Sequence, residues 1–193
     1  MIGRDAHPRL LSIGTALPRH IVRQSQAKAL VSVIFKQALA ADDGRLLAVF
    51  DNSGIETRHV CMPLEWYAGD HDFGTRNGLY IEHALVLAVE ASRRALDAVG
   101  LAPADVDHLV FVSSTGVATP SLDARLANAL GFRGDVRRTP IWGLGCAGGS
   151  AGLARARDFA LADPQARVLL VALELCSLTF QNREATRDRK SVV

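Results

Sequence analysis

Apolar and polar positions along this chain alternate between two periods, one near two residues and one near 3.6, and the switches between them mark the elements. Arg9 to Leu17 alternates apolar with small residues before Pro18, which predicts a strand. A helix-period stretch follows from about Gln26 to Ala41 with Ser25 as its N-cap, and Asp42-Asp43-Gly44 breaks it. Arg45 to Phe50 predicts a short helix, Asn52-Ser53-Gly54 a turn, Ile55 to Met62 an extended segment, and the polar, aromatic stretch Glu65 to Gly78 a loop. Leu79 to Val99 predicts a long helix with Ile81, Leu85, Ala88, Val89, Ser92 and Leu96 on its apolar face and Gly100 as the C-cap. His108 to Ser113 is a short apolar run rich in β-branched residues, the pattern of a strand buried on both faces. Ser121 caps a helix through Leu130 that Gly131 closes, and Val136 to Trp142 returns as a strand. Gly148 to Ala162 is a helix whose small residues (Gly149, Ala151, Gly152, Ala154, Ala156) permit close packing on a sheet; Asp163-Pro164 ends it, and Arg167 to Leu175 is the most apolar strand. Strands alternating with helices imply a layered α/β fold around a largely parallel sheet.

The last stretch breaks this rhythm. Asn182 to Lys190 holds no apolar residue except Ala185, the mark of a charged surface tail over 182–193 or of a truncated or frameshifted continuation. A chain of 193 residues suggests one domain or two small ones, and buries about 70% of its unfolded surface without cross-links. Charges nearly cancel, at +2, so nothing resembles a nucleic-acid-binding stripe. No run is long and apolar enough to span a membrane, and Met1 to Pro8 lacks the apolar core of a signal peptide. The cysteines are Cys61, Cys146 and Cys176, an odd and sparse set that suits a reducing cytoplasm, with no zinc-site spacing.

One cysteine has a setting of its own. Cys146 lies in Trp142-Gly143-Leu144-Gly145-Cys146-Ala147-Gly148-Gly149, where an apolar run gives way to a small-residue helix. The common reading of a free cysteine is an inert, buried one. A structural cysteine needs no glycine before it and no Gly-Gly pair just beyond it. Glycines allow a sharp turn and the approach of a substrate carbonyl. The thiolate is the nucleophile, a helix N-terminus favours it, and free N–H groups there suit a developing oxyanion. These features predict a covalent catalyst aimed at an acyl group. Cys61 and Cys176 have no such setting; Cys176 is expected in the core at a strand end, and His59 is two residues from Cys61, a spacing that does not bring base to nucleophile.

Gly145-Cys146-Ala147-Gly148-Gly149 resembles the nucleophile motif of type III polyketide synthases, the chalcone and stilbene synthase family. Ser113 to Asp123 resembles the family's strand and turn before the nucleophile, Arg167 to Ser177 the strand after it, and Leu11 to Pro18 the first strand, so that the likeness runs from about Arg9 to Gln181. The wording around Cys146 is similar to bacterial members that make alkylpyrones or alkylresorcinols. The resemblance implies the N-terminal half of a thiolase-like fold, with residues 1–181 as the family's N-terminal domain. It implies an acyltransferase with no permanently bound cofactor, whose cysteine takes a starter acyl group from coenzyme A and condenses it with a carbanion from malonyl-CoA. The family uses a His and an Asn for activation and decarboxylation, from its C-terminal half. Here His7, His20, His59, His71, His83 and His108 all precede Cys146, and Asn182 is the only Asn after it. The expectation is therefore an N-terminal half that needs a missing C-terminal half, or pairs as a homodimer.

Three further positions carry over from the resemblance. Ser114 matches a residue lining the substrate pocket, or is a satisfied strand-end hydroxyl. Thr119 matches a residue reaching into the dimer partner's cavity, or is a turn residue before Pro120. Arg58 matches a coenzyme A phosphate partner, or is a solvated surface arginine, and Glu56 stands where the family commonly has a lysine. Two other readings remain open. One is a ketoacyl-acyl-carrier-protein synthase III-like enzyme. The other is a non-catalytic truncated half that only dimerises or assists a separate C-terminal half, through apolar faces left uncovered.

Overall fold

The computed structural model describes residues 7–36, 39 and 45–182. It divides into two compact units, one holding the described part of Met1–Ala16 with Tyr80–Glu174, the other Leu17–Leu79 with the described part of Leu175–Val193. In chain order the elements are β1 (His20–Arg23), α1 (Gln24–Ile34), α2 (Arg45–Asn52), β2 (Thr57–Val60), α3 (Phe73–Asp97), β3 (His108–Val112), α4 (Leu122–Leu130), β4 (Arg137–Ile141), α5 (Gly148–Ala162) and β5 (Val168–Ala172).

The first unit is built on a parallel sheet in the order β4-β3-β5. The register pairs His108 with Arg137 and Val168, and Val112 with Ile141 and Ala172. Every residue of β3 is buried, as its unbroken apolar run predicts for a central strand. Helix α4 packs on β3 and β4 through Leu122, Leu126 and Leu130 and closes at Gly131 in the left-handed conformation, φ 72°. Helix α5 packs on β5 and β3. Its contact face is narrower than expected: Gly148 and Gly152 are buried, whereas Gly149 and Ala154 are exposed. A Cβ on Gly148 would lie 2.6 Å from Val112 Cγ1, and one on Gly152 would lie 2.7 Å from Val112 Cγ2. The two methyl groups of Val112 thus fill notches one helical turn apart, and only glycine leaves room for them.

The predicted first strand, Arg9 to Leu17, is not one: no ladder among the described residues includes it. The alternation is present in the opposite phase. Leu10, Leu11 and Ile13 are exposed, and the small residues Ser12, Gly14 and Ala16 turn inward. Ser12 Oγ donates to Ala95 O at 2.7 Å, Arg94 Nη1 donates to Thr15 O at 2.6 Å, and a Cβ on Gly14 would lie 2.1 Å from Ala91 O. The segment lies directly on the backbone of α3, and a strand needs a hydrogen-bonded neighbour that this packing does not supply. The buried face of α3 runs Tyr80, Ala84, Ala88, Ser92, Ala95 and Leu96, so Ile81, Leu85 and Val89 sit at its margin.

In the second unit β1 and β2 pair antiparallel, from His20 with Val60 to Arg23 with Thr57. Helix α1 starts at Gln24, ahead of the expected Ser25 cap, because Gln26 Oε1 accepts the Arg23 N–H at 2.9 Å. Its expected continuation to Ala41 and the break at Asp42-Asp43-Gly44 lie outside the described residues, except for Phe35, Lys36 and Leu39. The expected loop Glu65 to Gly78 is largely helical: Leu64–Ala68 forms a 3₁₀ turn, and α3 already begins at Phe73. Asp72 Oδ1 accepts the Thr75 N–H at 2.7 Å, a cap that the aromatic and glycine content hides, and this bond holds the Asp72 carboxyl below its ordinary range. Cys176 is exposed on a 3₁₀ turn, Cys176–Thr179, and not in the core as expected, because β5 ends at Ala172. Cys61 is buried, and burial raises its thiol pKa. Asn182 donates to Ala68 O and Gly69 O at 3.1 and 2.7 Å, so this first residue of the expected tail is tied down, and 183–193 lie outside the described residues. Among the described residues no helix is long and apolar enough to cross a membrane.

Candidate active site

The parallel strands of the first unit bring their C-terminal ends to one edge of the sheet, the usual place for a site in an open α/β sheet. After Ile141, at the end of β4, the chain turns through Gly143 (φ 84°) and Gly145 (φ 52°), backbone conformations that glycine adopts without strain. Gly145–Ala147 then forms a 3₁₀ turn that leads straight into α5. Cys146 sits on this turn and is exposed, so the reading of an inert buried thiol does not hold. The two notches at Gly148 and Gly152 seat α5 on the end of β3, and this seating places the cysteine turn beside the β3 loop.

That loop, Ser113 to Gly116, grips the turn at two points. Ser114 Oγ accepts the Gly145 N–H at 3.1 Å, and Trp142 Nε1 donates to Gly116 O at 3.1 Å. Ser113 is buried, and its hydroxyl accepts from the Tyr80 hydroxyl at 2.7 Å. Burial raises the Tyr80 phenol pKa, the Ser113 bond opposes this, and the charge of Glu174 adds to it. Glu174 accepts the Ser114 and Thr115 N–H groups at 2.8–3.0 Å.

Ser114 is therefore brought to the cysteine turn, where its hydroxyl accepts the Gly145 N–H, as the reading of a satisfied strand-end hydroxyl expects. Thr119 is exposed in the turn before Pro120, and its carbonyl accepts from Arg125 Nη2 at 3.4 Å. Arg58 belongs to the second unit, where its Nε donates to Gln24 Oε1 at 2.8 Å and its guanidinium lies 5.9 Å from the centre of the Phe50 ring. It is thus partly engaged in the fold and not a freely solvated arginine. Glu56 is exposed, and its carbonyl accepts the Gln24 N–H at 2.8 Å.

One expectation needs correcting. The 3₁₀ turn uses the Ala147 N–H on Leu144 O and the Gly148 N–H on Gly145 O, so these two donors at the head of α5 are not free for an oxyanion. Sequence patterning assigns no part in this arrangement to Glu174, whereas Trp142 already belongs to the motif read around Cys146. A lone acidic residue at the end of the most apolar strand was the available signal for Glu174.

Comparison with known proteins places this arrangement. The family model described as chalcone and stilbene synthases, N-terminal domain, matches residues 4–193. The chain is 46% identical over 177 residues to a 1,3,6,8-tetrahydroxynaphthalene synthase of Streptomyces peucetius subsp. caesius, covering 92% of this chain and 47% of that one. It is 31% identical over 172 residues to the alpha-pyrone synthesis polyketide synthase-like Pks18 of Mycobacterium tuberculosis, covering 86% and 43%. Among solved structures, the 1,3,6,8-tetrahydroxynaphthalene synthase of Streptomyces coelicolor A3(2), a bacterial type III polyketide synthase, superposes with a TM-score of 0.84 at 33% identity, covering 93% of this chain and 52% of that one. The chain thus spans about half the length of the curated relatives it matches.

Proposed function

Since this chain belongs to the chalcone and stilbene synthase family and has the N-terminal half of its thiolase-like fold, we propose that Cys146 is the acyl-accepting nucleophile of a type III polyketide synthase. The observation that carries this reading is an exposed cysteine on a glycine-flanked turn at the head of a helix, held there by the loop that ends the central strand. The Cys146 sulfur attacks the thioester carbonyl of an acyl-CoA, and a C–S bond forms as the carbonyl becomes an oxyanion. Collapse of that intermediate breaks the bond to coenzyme A, whose thiolate takes the proton lost by Cys146. Malonyl-CoA then loses carbon dioxide, and its α-carbon attacks the Cys146 thioester to give a longer β-ketoacyl-CoA and free Cys146.

Decarboxylation and condensation call for a His and an Asn, which the family resemblance places outside these 193 residues. The six histidines here all precede Cys146. The first step, acyl transfer to sulfur, is the one this chain is equipped to perform. Ser114 lines the acyl pocket at the cysteine turn. Thr119, exposed, is suited to a contact with a second copy. The remaining guanidinium N–H groups of Arg58 are suited to a coenzyme A phosphate.

Incubation with a long-chain acyl-CoA and measurement of intact mass tests the reading. One acyl group is expected on the wild type, removable by hydroxylamine, and none on Cys146→Ala. Cys176→Ala controls for the other exposed cysteine and is expected to label as the wild type does. Equal labelling of Cys146→Ala would refute the assignment.

A further inference from the structure

The ladders of the parallel sheet end at Val112, and the chain beyond must still satisfy its N–H groups. Ser113 does so with a carbonyl, donating to Ile141 O at 3.2 Å. For Ser114 and Thr115 the acceptor is a carboxylate. The Ser114 nitrogen lies 2.8 Å from Glu174 Oε1 and 3.0 Å from Oε2, and the Thr115 nitrogen lies 3.0 Å from Oε2. Glu174 follows the end of β5, where Leu173 N–H donates to Val112 O at 2.9 Å, so it extends the β3–β5 pairing with its side chain. On the other side of the same loop, Ser114 Oγ takes the Gly145 N–H at 3.1 Å. One residue, Ser114, is therefore held through its backbone by Glu174 and holds through its hydroxyl the residue before Cys146.

We propose that Glu174 is a positioning residue for Cys146: it fixes the backbone of Ser114, whose hydroxyl fixes Gly145 and with it the turn that presents the sulfur. This rests on Cys146 as the acyl acceptor. Two considerations favour a dedicated role. Hydrogen bonds to an ionised acceptor are about twice as strong as neutral ones, and two successive N–H groups cradle an anion. The 3₁₀ bonds of the turn use the Ala147 and Gly148 N–H groups, so they leave the Gly145 N–H, at φ 52°, to the Ser114 hydroxyl.

The test is a double-mutant cycle read at the Gly145 amide. Hydrogen exchange is followed residue by residue by NMR on the 193-residue chain, as wild type, Glu174→Ala and Glu174→Gln, each with and without Ser114→Ala. Glu174→Ala is expected to speed Gly145 exchange about tenfold, and Glu174→Gln, which keeps one acceptor oxygen, by less. In the Ser114→Ala background the exchange is already fast, and Glu174→Ala is expected to add less than about twofold. Acylation from hexanoyl-CoA is expected to slow in the same pattern. A purely structural role would give the same increment with and without the Ser114 hydroxyl. That outcome, or an unchanged Gly145 exchange in Glu174→Ala, overturns the proposal. If Glu174→Ala does not fold, the same comparison is made with Glu174→Gln alone. Gly145 exchange needs no acyl donor, so a wild type that fails to acylate refutes the proposed function while the role of Glu174 is still decided.

Discussion

Replacing Gly152 by alanine puts a methyl group where the sheet already is. Its Cβ would lie 2.7 Å from Val112 Cγ2 and 2.8 Å from Leu170 Cδ1. Carbon pairs settle near about 3.5–4.0 Å, so α5 and the sheet must part by about 1 Å. Val112 has little room to swing aside: it is 2% exposed, and its β-branched side chain is restricted at χ1. Overpacking of this kind costs about 1–3 kcal/mol, and the better helix propensity of alanine returns about 1 kcal/mol. The net expectation is a loss of about 0–2 kcal/mol. Gly149→Ala is the control, because nothing lies within 4 Å of its Cβ position and it is exposed. It retains only the propensity gain and is expected to stabilise by up to about 1 kcal/mol. Urea unfolding measures both, with constant m-values as the check on two-state behaviour. The difference between the variants isolates the steric cost, about 1–3 kcal/mol, and in a Val112→Ala background that cost should shrink. If Gly152→Ala stabilised as much as Gly149→Ala, the close seating of α5 on β3 would be wrong. With it would go the account of how Cys146 is brought to Ser114.

Two other perturbations probe the same unit. Asp123 is 1% exposed and accepts from Arg138 Nη1 at 2.6 Å, so Arg138→Ala strands a buried carboxylate and is expected to cost about 2–3 kcal/mol in urea unfolding, whereas Arg155→Ala, which breaks an exposed pair with Asp158, should cost under about 1 kcal/mol. Burial, with the charge of Arg137 beside it, lowers the His108 pKa from its ordinary 6.5; the unfolded chain then binds more protons, so stability is full above about pH 6.5 and falls as pH drops below it, and His108→Gln should remove that component of the slope between pH 7 and 5.

The elements of the first unit could be read from the sequence where local pattern and tertiary demand agree. β3 is an unbroken apolar run because it is central, and α5 spans Gly148–Ala162 as its small residues and the following Asp163-Pro164 predict. Reading failed where an acceptor lies far along the chain. The segment 9–17 has a strand's alternation, but its partner is the backbone of α3, about 80 residues away, so its apolar residues face outward. Glu174 reads as an ordinary exposed acid until Ser114 and Thr115, 60 and 59 residues earlier, are placed against it.

The candidate nucleophile was visible in one dimension. A cysteine between glycines at a strand-to-helix switch is a local backbone requirement, and local requirements are written in neighbouring residues. The family, the α/β class and the identity of Cys146 as the candidate nucleophile all come from such neighbourhoods. What holds the sulfur in place does not. The notches that receive Val112, the hydroxyl that takes the Gly145 N–H, and the carboxylate that secures Ser114 join residues between 30 and 60 positions apart. Close packing and hydrogen bonding act through space at 3–4 Å and leave no periodic trace along the chain, so only the folded arrangement decides which residues support the cysteine.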